Sequence, residues 1–442
     1  MKPLTLIEHS FLYSHKESKV PKHLDDYSIG LPEKVFNEIE AFVLKNEIEE
    51  DGLATQFLIP AYKKVYGKIL KAKNYVGILQ TKNGITIEIL PKIAQIVPES
   101  NIANKEQIAT TKEIFLKMLR YLKKSPYKIS NFANLDLTRM PLLDVFINMF
   151  LEELDTIVKQ GLRKDYLTQS ENLYVLKGKL NFNKNIRHNI VHKERFFVEY
   201  DEFNTDRPEN KLIKSTLLVL QKKAHSNTTQ QRVRKFTFIF DEISASTNVD
   251  VDLSKCKSNR LTSHYEKILV WCRIFLKNKS FSNYRGNDLA FALLFPMERI
   301  FEDYVAACIR KHYNIQTQKT IGKLLVNSSK FKMKPDIIFN DGVTIADTKW
   351  KILDKKLKIT QSDLYQMFAY GNHPERSIDR TEKILLIYPK AENFPEKRKY
   401  RFYNKSGNTE NEQLELEIYP FDLKDETNNN DFFEKMREIN NA

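Results

Sequence analysis

The spacing of apolar residues predicts a mixture of helix and strand in the first hundred residues. Two β-rich runs within residues 75–93 flank Asn83-Gly84, a dipeptide that favours a tight turn, so this segment is predicted to be a hairpin. The polar residues 98–105 are typical of a linker, and we expect residues 1–100 to form an N-terminal mixed α/β domain. A helix is predicted over residues 32–45, where apolar side chains recur at helical spacing: Val35, Phe36, Ile39, Phe42 and Val43.

The middle of the chain, residues 101–285, is predicted to be mainly helical. Helical periodicity runs over residues 112–160, and Gly161 is expected to end that helix. Residues 173–200 are instead strand-like and rich in Lys and Arg, which predicts a basic β-hairpin insertion. The helical period returns at Asn210 and continues to about residue 280, interrupted by a polar loop that is predicted over residues 244–258.

The last part of the chain, residues 286–442, has the pattern of an α/β domain. A helix is predicted at 297–312, followed by strand-like runs, a short helix at 361–371, further strands and a polar, Asn-rich C-terminal helix. The fold class is therefore α/β, or α+β overall. The strand-like runs are residues 332–339, 343–350, 383–389 and 414–420.

The composition indicates a polyanionic partner and a reducing compartment. Lys and Arg number 71 against 57 Asp and Glu, which gives a formal net charge of +14. Three cysteines (Cys256, Cys272 and Cys308) cannot form a disulfide framework. No apolar run approaches the roughly 18 residues that a membrane span needs, and the N-terminus lacks an apolar signal core. These features predict a cytoplasmic protein without a membrane partner.

Glycine-rich phosphate-binding motifs are missing from the sequence. None of the 12 glycines lies in G-x-x-x-x-G-K-[ST] or G-x-G-x-x-G, and Gly67-Lys68 and Gly178-Lys179 lack the upstream glycine of a phosphate loop. We therefore expect that this chain itself binds no nucleotide, and that a partner supplies any nucleoside triphosphate hydrolysis.

One apolar hairpin carries paired carboxylates. If Asp341-Gly342 forms the turn, Ile338 pairs with Ile345, and Asp336 faces Asp347 on the same side of the sheet. Lys349 projects to that side too, because strand side chains alternate. A three-residue loop over 340–342 would instead leave the two aspartates only diagonal.

This arrangement suits metal-assisted phosphodiester hydrolysis. Asp336 and Asp347 could together hold Mg²⁺, which polarises a phosphate and activates a bound water. The ammonium group of Lys349 could position that water and neutralise developing charge. The alternative is a solvated ion pair at a surface hairpin end, which contributes little stability. The D-x-K spacing recurs at Asp422, but there no second carboxylate lies in register across a turn.

Pro335-Asp336 and Asp347-Thr348-Lys349 resemble the two halves of the motif of the PD-(D/E)xK nuclease superfamily. That resemblance implies a restriction-endonuclease-like C-terminal domain in which Glu302, on the preceding helix, supports the site. Glu302 would lie at the edge of an apolar stripe, and the alternative is an ordinary exposed glutamate.

Gln366 and Tyr370 are similar to the Q-x-x-x-Y motif of RecB-like nucleases. Because residues four apart share a helix face, both side chains could reach phosphate or base, and Gln366 could support catalysis. The alternative is a core helix whose apolar residues are Leu364, Met367 and Phe368. The two interpretations are compatible, because those three residues occupy the other face.

Six longer segments follow one another along the chain: YVGILQTKNGITIEILPKI, GLRKDYLTQSENLYVLKGKLNF, VEYDEFNTDRPENKLIKSTL, LLFPMERIFEDYV, PDIIFNDGVTIADTKWK and DLYQMFAYG. In this order they resemble the McrC family, the nuclease subunits of McrBC-type modification-dependent restriction systems. The resemblance implies a Mg²⁺-dependent endonuclease subunit that cleaves double-stranded, base-modified DNA. It also implies a separate McrB-like AAA+ GTPase ring, whose hydrolysis this chain would stimulate.

The basic stretch is then expected to contact either the partner ring or DNA, and the sequence leaves both open. Its basic residues include Lys177, Lys179, Lys184 and Arg187, against few acidic residues nearby. A solvated hairpin face is the alternative. Two other functions also remain: a stand-alone RecB-like repair nuclease, and a non-catalytic adaptor that activates an AAA+ partner.

Overall fold

The computed structural model divides the chain into two compact units. We call residues 140–280 the helical unit, and residues 3–139 together with 281–442 the sheet unit. The structure describes residues 3–15, 28–45, 48–50, 53–55, 57–81, 84–93, 105–122, 140–256, 263–277, 291–325, 332–339, 344–353, 359–372, 383–391, 394, 399–402 and 414–434. The predicted linker at 98–105 lies almost entirely outside these residues.

The helical unit confirms most of the predicted helices. Gly161 caps the first helix with a φ of 90°, a backbone conformation that glycine adopts without strain. The described helices are Leu142–Gln160, Phe182–Asn189, Pro208–Lys223, Asn227–Ile239, Val249–Lys255 and Glu266–Lys277, and the strands are Asp165–Leu173, Lys179–Leu180 and Phe196–Asn204.

Two predictions for the helical unit are wrong in part. The hairpin strands lie at Asp165–Leu173 and Phe196–Asn204, while Phe182–Asn189, inside the predicted hairpin of 173–200, is a helix. That helix begins where the Asn181 side chain accepts a hydrogen bond from the Lys184 amide, a helix cap that outweighs the strand-like pattern. The predicted polar loop at 244–258 likewise contains a helix, Val249–Lys255, which Asn248 caps.

In the sheet unit, strands from both ends of the chain share one four-stranded sheet. Its order is Leu4–Ile7, Thr86–Leu90, Tyr75–Gln80 and Phe291–Pro296. The Tyr75–Gln80 and Thr86–Leu90 strands pair antiparallel, which confirms the predicted hairpin, although Asn83 lies outside the described residues. The strand Phe291–Pro296 pairs with Tyr75–Gln80, so segments from both ends of the chain belong to one compact unit. The predicted division into three domains, with boundaries at 100 and 285, stays a prediction.

A six-stranded mixed sheet forms the other main part of the sheet unit. A hydrophobic core packs against one face of this sheet and includes the buried side chains of Ile338, Ile345, Leu386 and Ile418. In order, the strands are Ile315–Thr317, Ile337–Phe339, Thr344–Thr348, Lys383–Pro389, Glu415–Phe421 and Lys399–Arg401. This sheet confirms the α/β pattern predicted for the C-terminal part.

Three helices beside these sheets lie at the predicted places: Glu33–Lys45, Met297–Arg310 and Gln361–Asn372. The helix Lys105–Leu119 begins before residue 112, where the helical pattern was predicted to start. A 3₁₀ turn at Glu426–Asn429 lies in the predicted Asn-rich helix. The remaining described strands of the unit are Phe11–Ser14, Ile29–Leu31, Ile48–Glu50, Leu53–Thr55, Leu58–Lys63, Gly67–Ala72, Gly322–Lys323 and Lys332–Met333. Within the described part of the chain, every helix is too short or too polar to cross a bilayer.

Candidate active site

The hairpin that carries the two aspartates has the predicted register. Ile337 pairs with Ala346 and Ile338 with Ile345, so the next pair along the ladder places Asp336 opposite Asp347. The turn residues 340–343 lie outside the described residues. Strand pairing on both sides of Thr344–Thr348 buries this segment in the middle of the sheet.

Asp336 is held by the end of the neighbouring strand. Its Oδ2 atom accepts hydrogen bonds from the Thr348 backbone amide and from the Thr348 hydroxyl, both at 2.7 Å. Its Oδ1 atom accepts a bond of 3.1 Å from the Gln318 amide group. These three donors fix the carboxylate at the edge of the site.

Asp347 and Lys349 lie on one face, as predicted. Lys349 Nζ is 2.6 Å from Asp347 Oδ2, and the side chains are 19% and 2% exposed, respectively. This pair is therefore not the fully solvated ion pair of the alternative interpretation. The ammonium group keeps some access to solvent, whereas the aspartate lies almost entirely below the surface.

Gln366 orients Lys349 from the following helix. Its Oε1 atom accepts a hydrogen bond from Lys349 Nζ at 2.9 Å, and its Nε2 atom donates to the Tyr370 hydroxyl at 2.8 Å. Tyr370 in turn donates to the Lys334 carbonyl and is 6% exposed. The motif thus forms a chain of hydrogen bonds behind the lysine, and direct contact of Gln366 or Tyr370 with DNA stays a prediction.

The apolar face of this helix differs from the expected one. Met367 is fully buried, but Phe368 is 41% exposed. Tyr370, one turn after Met367, is buried instead. The tyrosine can do so because both hydrogen bonds satisfy its hydroxyl group. The helix therefore packs by Met367 and Tyr370 rather than by Phe368.

Glu302 joins the site through a residue that sequence reasoning missed. The Gln318 amide group donates hydrogen bonds to Glu302 Oε1 and to Asp336 Oδ1, so it bridges the two carboxylates. Gln318 has a φ of 56°, unusual for a residue other than glycine, and its backbone amide bonds to the Asp336 carbonyl at 3.1 Å. No spacing motif marks Gln318, because its position depends on this backbone conformation.

Burial and like charge make the two aspartates unusually basic. Burial, and then the nearby Asp336 charge, raise the pKa of Asp347 to about 7 although Lys349 opposes the shift. Burial also raises the pKa of Asp336. Burial alone would lower the pKa of Lys349, but the Asp347 and Asp336 carboxylates outweigh it and raise that pKa. Lys349 is therefore an ammonium ion at neutral pH.

This donor set fits a hard divalent cation. Asp347 Oδ2 is buried and, within the described chain, meets no hydrogen-bond donor in bonding geometry, although Lys349 lies close by. Asp336 and Asp347 would hold Mg²⁺, which commonly binds one or two carboxylates and keeps several waters. The described residues contain no cluster of three or more His, Cys, Asp or Glu ligands, as a zinc site usually requires.

The raised carboxylate pKa predicts a stability change that depends on pH. Asp347→Asn mimics the neutral acid, so it should stabilise the metal-free protein above pH 7, by up to about 4 kcal/mol in the free energy of unfolding. The gain should shrink as the pH falls from 7 towards 4, because the wild-type carboxyl is then protonated in the folded state. Denaturant unfolding in a chelator at several pH values measures it, and an equal effect at pH 5 and pH 8 would contradict it.

The predicted basic residues belong to the helical unit. Lys177 lies 3.8 Å from the centre of the Tyr200 ring, and Lys184 donates a hydrogen bond of 3.0 Å to the Ser170 hydroxyl. Lys179 and Arg187 are exposed. Apolar side chains are exposed beside them, including Val175, Leu176, Ile186 and Val191. The mixture of charge and apolar surface is compatible with either a protein or a nucleic acid partner.

Comparison with known proteins assigns the chain to a family. Residues 70–389 match the family described as "McrBC 5-methylcytosine restriction system component", which covers more than half of the chain. The chain belongs to this family. The match spans every residue of the candidate site: Glu302, Gln318, Asp336, Asp347, Lys349, Gln366 and Tyr370.

One curated protein and one solved structure are similar to this chain. The chain is 24% identical over 272 residues to the type IV methyl-directed restriction enzyme EcoKMcrBC of Escherichia coli (strain K12), which covers 56% of this chain and 77% of the relative. It also shares a fold with a chain of a Thermococcus gammatolerans structure, described as a half-complex from a tetradecameric assembly of McrB AAA+ hexamers with bound McrC. The TM-score is 0.64 at 17% identity, and the match covers 97% of this chain and 100% of that chain.

Proposed function

We propose that this chain is the Mg²⁺-dependent endonuclease subunit of a McrBC-type restriction system and has a PD-(D/E)xK site. The observation that carries the proposal is the pair of Asp336, half-buried, and Asp347, buried, in register across a hairpin, with Lys349 2.6 Å from Asp347. Membership of the McrBC family supports the same function. In a cytoplasmic defence system the substrate would be double-stranded DNA that carries modified bases.

The side chains divide the work of phosphodiester hydrolysis. Asp336 and Asp347 would hold Mg²⁺, which when bound polarises the scissile phosphate and acidifies the attacking water. Lys349 stays protonated, so it orients the water and stabilises negative charge on the phosphate oxygens instead of accepting a proton.

Two further side chains hold this arrangement in place. Gln366 fixes the lysine by accepting its hydrogen bond. Glu302 reaches Asp336 through Gln318 and supports that ligand from the preceding helix. Both are positioning residues in this proposal. Gln366 acts through Lys349, and Glu302 acts through Gln318 and Asp336.

The partner is proposed to be an AAA+ ring. The Thermococcus gammatolerans structure is described as McrB AAA+ hexamers with bound McrC, and this chain matches one of its chains over 97% of its own length. A nucleotide-hydrolysing partner agrees with the missing phosphate loop in this sequence. The basic residues Lys177, Lys179, Lys184 and Arg187 are proposed contacts with this ring or with DNA.

Reconstitution tests the proposal. Cleavage of 5-methylcytosine DNA is expected only when this chain, a McrB-like partner, its nucleotide and Mg²⁺ are all present. Cleavage by this chain alone would favour a stand-alone nuclease instead. Stimulated nucleotide hydrolysis without cleavage under any condition would favour a non-catalytic adaptor.

A further inference from the structure

A buried carboxylate at the end of the first strand of the four-stranded sheet contacts the residue next to the proposed catalytic lysine. Glu8 directly follows the strand Leu4–Ile7 and is 1% exposed. The Trp350 indole Nε1 donates to both of its carboxylate oxygens, at 3.0 and 2.9 Å, and the Lys92 backbone amide donates to Oε2 at 3.2 Å. A buried carboxylate requires such donors, so the indole cannot rotate away without a large loss.

Trp350 connects this carboxylate to two parts of the proposed active site. It is the residue after Lys349, and its ring lies 5.4 Å from that of Phe301, the residue before Glu302. The Lys349 backbone amide donates a hydrogen bond of 2.9 Å to the Ile387 carbonyl, which fixes the backbone at the lysine. The contacts of the Trp350 side chain fix the residue that follows it.

We infer that Glu8 is a positioning residue of the nuclease site, which acts through Trp350 to hold Lys349 and Glu302 in place. This inference rests on the proposed function. The end of the strand Leu4–Ile7 then supports the active site, although Glu8 lies more than 300 residues from the lysine in sequence. Displacement of a reacting group by about 1 Å can cost about 10²-fold in rate.

The first test compares cleavage rates of conservative variants in the reconstituted complex. Glu8→Gln weakens the paired contacts, and Trp350→Phe removes the indole donor while it keeps an aromatic ring against Phe301. Each should lower the single-turnover rate at saturating DNA by about 10- to 100-fold, with little change in the DNA concentration at half-maximal rate. The double variant should be no slower than the slower single variant, because both changes break one connection.

Glu88→Gln is the matched control. Glu88 lies in the same sheet, is 0% exposed and pairs with Lys112 at 2.7 Å. This control should lose stability without the selective loss of rate, when each variant is assayed well below its own unfolding temperature. Equal cleavage rates for Glu8→Gln and Glu88→Gln would overturn the inference about Glu8. The proposed function would still stand in that case, provided that the wild-type complex cleaves DNA.

A spectroscopic readout makes the contact measurable without catalysis. In a Trp271→Phe background, Trp350 is the remaining tryptophan. Burial, and then Glu298, raise the pKa of Glu8 to about 7, while Trp350 and Lys92 act in the opposite direction. His9 is the other nearby titratable group, with its Nε2 atom 3.9 Å from Glu8 Oε1.

The Trp350 emission should therefore change with a midpoint near pH 7, and Glu8→Gln should remove that transition. Persistence of the transition in Glu8→Gln would mean that another group causes it, and would overturn the coupling. If the wild type never cleaves DNA, the proposed function fails and this inference fails with it, even where the fluorescence transition is present.

Discussion

Asp347→Ala is expected to reduce DNA cleavage by on the order of 10³-fold, while stimulation of nucleotide hydrolysis by the partner survives. The side chain supplies a buried oxygen that the proposed cation needs, and it holds Lys349 Nζ at 2.6 Å. Its removal eliminates a metal ligand and leaves Gln366 as the remaining side chain that holds Lys349 among the described contacts. Parallel assays of cleavage and nucleotide hydrolysis in the reconstituted complex measure the two activities.

Asp422→Ala provides the matched control for this variant. Asp422 also begins a D-x-K sequence and is 9% exposed, but its carboxylate accepts backbone amides in a turn that includes Lys424. It should retain cleavage at temperatures at which it is folded. Undiminished cleavage by Asp347→Ala would show that the site is wrongly assigned, and loss of both activities would point to a folding defect.

Lys349→Met is expected to slow cleavage by about 10²- to 10³-fold. Methionine keeps much of the length of the side chain but removes the charge that lies beside Asp347 and Gln366. Because Lys349 lowers the pKa of Asp347, its loss should also raise that pKa further. The pH at which cleavage reaches half its maximal rate should then move upwards.

Lys351→Met is the control with the same chemical change two residues later. Lys351 pairs with Asp363 at 2.7 Å and makes no described contact with the two aspartates. Lys351→Met should lower the cleavage rate by less than about 10-fold, because the ion pair that it breaks includes neither of the two aspartates. Equal losses for the two lysine variants would contradict a specific function for Lys349.

Local pattern was sufficient to predict the centre of the site. The Asp341-Gly342 dipeptide predicted the register, and the pairing of Ile338 with Ile345 confirmed it. A one-residue slip would have placed Asp336 and Asp347 on opposite faces of the sheet. The position of Lys349 followed from the alternation of side chains along a strand.

Contacts between distant segments could not be predicted in this way. Gln318 reaches Glu302 and Asp336 only because its backbone adopts a positive φ, and Glu8 contacts Trp350 although 342 positions separate them in the sequence. Helix Phe182–Asn189 was missed because one side-chain cap decided between two weak local preferences. Each of these features depends on tertiary packing or on a single cap rather than on periodicity.

The most direct test of the central claim is a crystal structure with Mn²⁺ in place of Mg²⁺, with anomalous diffraction used to locate the ion. We expect one anomalous peak within bonding distance of carboxylate oxygens from both Asp336 and Asp347; for Mg²⁺ that distance is about 2.1 Å. The peak should be absent in Asp347→Ala. A peak bound elsewhere, or a wild-type site that stays empty at saturating metal, would contradict the account.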